Sequence, residues 1–177
     1  MNHEDHVRLL RGGVSTPGGV WGDLGSGAGA FTLALADLIG PEGRIYSVDK
    51  EAGALREQAA TMRFSFPSVR VEYVTADFTR PLDLPPLDGI VMANSLHYVR
   101  HKHAIIEQVI EYLKPSGHFI LVEYNADRGN PWVPYPLSYE TWESLAQECG
   151  FASTRLLATV PSRFLGEMYS ALSVADE

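Results

Sequence analysis

The stretch Val20-Trp21-Gly22-Asp23-Leu24-Gly25-Ser26-Gly27-Ala28-Gly29-Ala30-Phe31 joins an apolar strand pattern to a turn with glycine at every second position, and then to a helical run. Farther on, Ile45-Tyr46-Ser47-Val48-Asp49 is a second short apolar run that ends in a carboxylate. Glycine reaches positive φ without a Cβ penalty and lets a ligand approach the backbone, so alternate glycines at a strand end predict a ligand-cradling turn. A carboxylate at the tip of the next strand can accept from both hydroxyls of a ribose. Together the two segments predict a nucleotide-binding arrangement.

The rest of the chain extends the pattern. Strands are expected at Val20–Leu24, Ile45–Val48, Val69–Val74, Asp88–Ala93 and His118–Tyr124. Helices are expected between them, over Ala28–Ile39 and from Glu51 to about Phe64, with a third marked by the stripe Ile105, Ile106, Val109, Ile110 and Leu113. Gly40-Pro41 and Lys114-Pro115-Ser116-Gly117 read as stops. This alternation predicts a parallel sheet covered by helices on both faces. After a helix near Tyr139–Cys149, the β-rich segments Ser153–Val160 and Glu167–Val174 have too little chain between them for a crossover, so they are expected to pair as an antiparallel hairpin at the sheet edge.

The length of 177 residues fits one domain with a single sizeable core, residues 20–177, preceded by residues 1–19 as a short lid segment with Leu9, Leu10 and Val14 on its apolar side. The formal charge of -8, with no run of Lys or Arg, argues against a nucleic-acid partner. A single cysteine, Cys149, rules out an internal disulfide and a multi-cysteine metal cluster. No histidine pair has a convincing third ligand, and no metal is expected. No apolar run approaches membrane-spanning length, so a cytoplasmic protein without membrane insertion, monomeric or homodimeric, is the expectation.

Five motifs in order carry a resemblance: Asp23-Leu24-Gly25-Ser26-Gly27-Ala28-Gly29, Asp49, Ala76-Asp77-Phe78, Asn94-Ser95-Leu96-His97-Tyr98, and Leu113-Lys114-Pro115-Ser116-Gly117. In these the sequence resembles the class I S-adenosylmethionine-dependent methyltransferases, broadly the type that includes the ubiquinone and menaquinone biosynthesis enzymes. The resemblance implies a Rossmann-like three-layer sandwich with a seven-stranded, mostly parallel sheet and a C-terminal antiparallel hairpin. It also implies methyl transfer from S-adenosylmethionine to a small organic acceptor, leaving S-adenosylhomocysteine. Two alternatives stay open: a noncatalytic protein that binds the cofactor or a partner, and a dinucleotide-dependent oxidoreductase, whose glycine pattern Gly25-Ser26-Gly27-Ala28-Gly29-Ala30 also satisfies.

By the same resemblance, Gly25, Ser26, Gly27 and Gly29 floor the cofactor site, and Asp23 orients that loop or meets the cofactor's ammonium group. Asp49 accepts from the ribose with Lys50 beside it, and Ala76, Asp77 and Phe78 face the adenine. Asn94 and Ser95 leave the fourth strand beside the reacting centre. His97 is the candidate base for an acceptor hydroxyl or acidic carbon, because its ordinary pKa lies near neutrality. His97, Tyr98, Tyr124, Asn125, Arg128, Trp132 and Tyr135 are the candidate acceptor-binding residues; the last five sit in or beside a long loop after the fifth strand that mixes aromatic and polar groups.

Overall fold

A computed structural model describes all 177 residues. Its elements run α1 (His3–Arg11), β1 (Val20–Leu24), α2 (Ala30–Ile39), β2 (Arg44–Asp49), α3 (Ala52–Ser65), β3 (Arg70–Thr75), β4 (Leu87–Ala93), a 3-10 turn (Leu96–Tyr98), α4 (His103–Tyr112), β5 (Leu113–Tyr124), α5 (Tyr139–Cys149), β6 (Ser153–Ser162) and β7 (Gly166–Val174). One seven-stranded sheet has the order β3-β2-β1-β4-β5-β7-β6. The first five strands are parallel, and β7 runs antiparallel between β5 and β6. No helix is long and apolar enough to cross a membrane.

Strand alternation divides the interior in two. In β4, Val91 and Ala93 face α1 and α2, where Leu9, Leu10, Leu35 and Ile39 are fully buried; Ile90 and Met92 face α4 and α5, beside Ile106 and Trp142. Each such side chain contributes roughly 1.5–3 kcal/mol on burial, so both helical layers are held by their apolar stripes. Gly89 of β4 has a local reason: a Cβ there would collide with the Trp21 ring. Helix α1 is pinned by a capping box between Asn2 and Asp5, and it packs on α2 with Leu9 and Leu10 inside.

Most boundaries differ from the sequence expectation by a residue or two, and two differences have a local cause. Helix α2 starts at Ala30 rather than Ala28, because Gly29 is the N-cap at φ 92°, a left-handed conformation no helix residue adopts. The fifth strand starts at Leu113 rather than His118. The segment read as a stop carries a bulge, with Ser116 at φ 58° and the register slipping from Leu87–Leu113 to Gly89–His118.

The chain leaves β1 toward β2 on one side of the sheet, while β4 flanks β1 on the other. That reversal opens a crevice beyond the carboxyl ends of β1 and β4, where open α/β sheets bind ligands.

Candidate functional site

A cavity of about 510 Å³ lies in that crevice, within the range of small-molecule sites. It is walled by Gly25 and Gly27 after β1, Asp49, Lys50, Glu51 and Ala54 after β2, Ala76–Thr79 after β3, and Asn94, Ser95, Tyr98 and Val99 after β4. A second hollow of about 280 Å³ shares Gly25, Gly27 and Asn94 with the first and adds His6, Asp23, Ser26, Ala28, Gly29, Ala30, Phe31 and Ala93. The two are lobes of one groove bent around the glycine loop. A larger open depression between the start of α4 and α5, about 680 Å³ and mostly polar, stands away from the crevice.

The loop is shaped by contacts that glycine alone permits. Gly25, Gly27 and Gly29 all have positive φ, at 78°, 54° and 92°. A Cβ on Gly25 would stand 2.5 Å from Ser95 Cβ, and one on Gly29 would run into Gln58, whereas Gly27 faces open space. Gln58 of α3, completely buried, fastens the loop from behind. Its Nε2 donates to Gly27 O at 3.1 Å and to Ser26 Oγ at 3.3 Å, while Ser47 Oγ lies 2.7 Å from both Gln58 Oε1 and Ser26 Oγ. Gln58→Ala is therefore expected to free the loop and weaken S-adenosylhomocysteine binding about fivefold to tenfold by calorimetry, since two or three hydrogen bonds worth about 1 kcal/mol each are lost.

Asp49 ties the loop to the next helix. Gly27 N–H donates to its Oδ2 and Glu51 N–H to its Oδ1, each at 2.8 Å, which leaves further lone pairs on both oxygens for a ligand in the cavity. Asp77 accepts from the Thr79 N–H and hydroxyl through Oδ1, at 2.9 and 2.7 Å, and these bonds hold its carboxyl below the usual range. Its other oxygen is unengaged, with Phe78 beside it on the cavity wall.

Asp23 has almost no exposed surface and accepts from Thr32 Oγ1 at 2.5 Å. Burial pushes its carboxyl up to about 7; the Thr32 bond opposes this and the Asp49 charge adds to it. The folded value lies above the ordinary carboxylate value, so this group's stabilisation is present at low pH and is lost as pH rises from about 4 to about 7. The loss is roughly 4 kcal/mol at most, by the size of the shift. Asp23→Asn is accordingly expected to raise the ligand-free melting temperature at pH 8, by about 4–8 °C if half of that is recovered. The same variant removes the charge that the resemblance places against the cofactor's ammonium group, and should bind S-adenosylmethionine at least about tenfold more weakly. Wild-type affinity should fall about fivefold from pH 8 to pH 6, as Asp23 takes up its proton. Melting curves and titrations at the two pH values check all three results.

Asn94 is one of two non-glycine residues with positive φ, at 55°, and its Oδ1 is buried without a hydrogen-bond partner. A left-handed backbone, which asparagine tolerates better than most side chains, and an unsatisfied acceptor on the wall of both lobes make Asn94 a candidate ligand contact. Ser95 is buried and donates to Leu24 O at 2.9 Å, fixing the strand ends against each other.

His97 and Glu123 form a buried pair at the ends of adjacent strands. His97 Nδ1 lies 2.9 and 3.0 Å from the two Glu123 oxygens, and the His97 and Tyr124 backbone N–H groups also donate to that carboxylate. Nδ1–H is thus the donor, and Nε2, which makes no hydrogen bond within the chain, is the nitrogen left for chemistry. The ring of His97 packs against Tyr98 at 4.3 Å and Tyr124 at 5.7 Å between centroids, and Tyr124 meets Phe164 at 6.4 Å. Burial raises the Tyr124 phenol, and Glu123 raises it further. Lys102 closes the back of the turn, donating to Val99 O and Tyr135 O at 2.7 Å each; burial lowers its pKa, against the pull of Glu123.

Nearly all the residues expected at the cofactor converge on the groove. Of the acceptor set, Tyr98 lines it, whereas His97, Tyr124 and Tyr135 line neither lobe: the His97 ring packs at a tilt against Tyr98 and Tyr124, and Tyr135 donates its N–H to His97 O. Asn125 instead braces the loop, with Nδ2 on Glu167 and Oδ1 on the Tyr139 N–H. Arg128 and Trp132 are exposed on that loop and line neither lobe. Sequence reasoning left out Gln58, Thr32 and His6, and it did not join Glu123 to His97. A carboxylate inside a buried apolar strand, as Asp23 is in β1, is the signal that finds Glu123 in β5.

A model of a methyltransferase domain matches residues 16–160. The chain belongs to the class I S-adenosylmethionine-dependent methyltransferase family. Over 104 residues the chain is 28% identical to the ubiquinone/menaquinone biosynthesis C-methyltransferase UbiE of Pseudomonas savastanoi pv. phaseolicola, a match covering 58% of this chain and 41% of that protein. The chain thus matches about two fifths of the length of that curated relative. Among solved structures, the YcgJ protein of Bacillus subtilis superposes with a TM-score of 0.77 at 14% identity, over 99% of this chain and 100% of the other. A SAM dependent methyltransferase from Aquifex aeolicus gives 0.74 at 19% identity, over 96% and 89%. These likenesses show the Rossmann-like methyltransferase fold.

The groove itself fits the family's cofactor. It offers an open cradle at Gly27, an orphaned acceptor at Asn94 Oδ1 and a buried carboxyl at Asp23 on the lobe beyond the loop.

Proposed function

We propose that this methyltransferase binds S-adenosylmethionine in the bent groove and methylates a small organic acceptor at an oxygen or acidic carbon, with His97 removing the acceptor's proton. The observation that carries the reading is the His97–Glu123 pair, buried and mutually hydrogen-bonded, with the His97 ring packed against the groove residue Tyr98.

When bound, S-adenosylmethionine supplies an electrophilic methyl group on a positively charged sulfur. The protein's part is to align the acceptor with that group and exclude water. Asp49 would hold the ribose hydroxyls through its free lone pairs, Asp77 the adenine amine, and Asp23 with Asn94 Oδ1 the ammonium group. Glu123 fixes the His97 tautomer and stabilises the imidazolium that results when Nε2 takes the proton. Tyr98, Tyr124 and Tyr135 would form the acceptor's aromatic wall, and Asn125, Arg128 and Trp132 its outer loop.

The test is release of S-adenosylhomocysteine from S-adenosylmethionine across a panel of phenols, carboxylic acids, 1,3-dicarbonyl compounds and amines. Turnover confined to hydroxyl and acidic-carbon acceptors supports the reading; turnover only with amines, or with none of the panel, overturns it.

A further inference from the structure

His6 stands on the wall of the smaller lobe, with Asp23 and the glycine loop, although it comes from α1 rather than from a strand end. Its ring is half-buried and packs on Phe31 at 4.7 Å between centroids. His3, His97, His103 and His118 each hydrogen-bond through a ring nitrogen to another residue of the chain; His6 does not. A half-buried imidazole, packed at a tilt on Phe31 and bordering a cavity with no partner within the chain, is free to donate to a ligand there.

The helix that carries it is firmly seated. The Asn2–Asp5 capping box closes its first turn, His3 Nε2 lies 3.3 Å from Asp37 Oδ2 of α2, and Leu9 and Leu10 anchor the far end in the core. His6 is therefore held at a fixed place across the lobe, not on a mobile tail. The lobe has one buried carboxyl, at Asp23, and an imidazole donor, at His6. Those two groups complement the two ends of an α-amino acid, the carboxyl meeting an ammonium and the donor meeting a carboxylate.

We propose that His6 donates a hydrogen bond to the α-carboxylate of the cofactor's amino-acid tail, so that α1 completes the cofactor site and the carboxylate becomes a condition of tight binding. The inference rests on the reading of the groove as the S-adenosylmethionine site. It assigns the lobe to the amino-acid end of the ligand and makes His6 a binding residue.

Three ligands separate the possibilities by calorimetry: S-adenosylhomocysteine, its decarboxylated analogue S-adenosyl-3-thiopropylamine, and 5′-methylthioadenosine, which lacks the whole tail. Wild type should bind S-adenosylhomocysteine about tenfold more tightly than the decarboxylated analogue, as expected for one hydrogen bond to a charged group. His6→Phe, which keeps the ring on Phe31 and removes the donor, should lose that tenfold and leave affinity for the other two ligands within about twofold. His6→Gln, which restores a donor, should recover most of it. Equal wild-type affinity for the acid and its decarboxylated analogue would overturn the proposal without reference to any variant, as would an equal loss for all three ligands in His6→Phe. Failure of wild type to bind both S-adenosylhomocysteine and 5′-methylthioadenosine would instead remove the cofactor reading beneath it.

Discussion

Replacing Asp49 with alanine is expected to weaken S-adenosylhomocysteine binding by about a hundredfold or more. Two effects add. A ligand diol loses two hydrogen bonds to a charged acceptor, each worth about 1.5–3 kcal/mol. The protein also loses the link from Gly27 N–H to Oδ2 and from Glu51 N–H to Oδ1, which sets the glycine loop against the start of α3. Asp49→Asn separates the two, because its amide oxygen can keep one of the loop bonds while the charge is gone; an intermediate loss, about tenfold to thirtyfold, is the expected result. Calorimetric titration measures both variants, and an Asp49→Ala affinity within threefold of wild type would exclude this residue from the ligand contact.

The second large effect falls on turnover. His97→Ala should lower kcat by about 10² to 10⁴, the usual contribution of a positioned base, and leave the dissociation constant of S-adenosylhomocysteine within about threefold. Glu123→Gln should lower kcat less, about tenfold to a hundredfold. It keeps the shape of the pair but removes the charge that stabilises imidazolium, so Glu123 acts through His97 as a positioning residue. Added imidazole should restore part of the His97→Ala rate and none of the Glu123→Gln rate, a distinction a purely structural role would not produce. An unchanged kcat in His97→Ala would return the pair to the core as packing.

The sheet was legible because its strands announced themselves locally: Val20–Leu24 runs into glycines, Ile45–Val48 into Asp49, and the short gap before Glu167 forced the antiparallel hairpin. Boundaries went astray where one backbone angle decides. Gly29 looks like a helix residue in sequence but takes φ 92°, and Ser116 sits in a bulge inside what looked like a turn. The site was legible wherever a residue type is unusual for its place, as with a carboxylate inside an apolar strand. It was opaque where meaning depends on contact across the fold. Gln58 lies among the apolar-faced residues of α3 and reveals its task only when the glycine loop is set on it. Glu123 and His97 are separated by 26 positions in sequence and meet because β4 and β5 are neighbours. His6 reads as one of two histidines near the N-terminus until α1 is docked against α2. Arg128 and Trp132, chosen for their chemistry, lie outside the groove because the loop is braced through Asn125, Asp127 and Asn130 with those two side chains in solvent.

The central claim is that the groove is a site for S-adenosylmethionine and its product, and the thermal shift of the wild-type protein tests it most directly. At a hundred times its dissociation constant, a ligand of the native state adds about 2.7 kcal/mol, which for a domain of this size is a rise of about 5–10 °C. S-adenosylmethionine and S-adenosylhomocysteine should each produce that rise, and NADH at the same concentration should leave the melting temperature where it was. A rise with NADH and none with the two sulfur ligands would contradict the account.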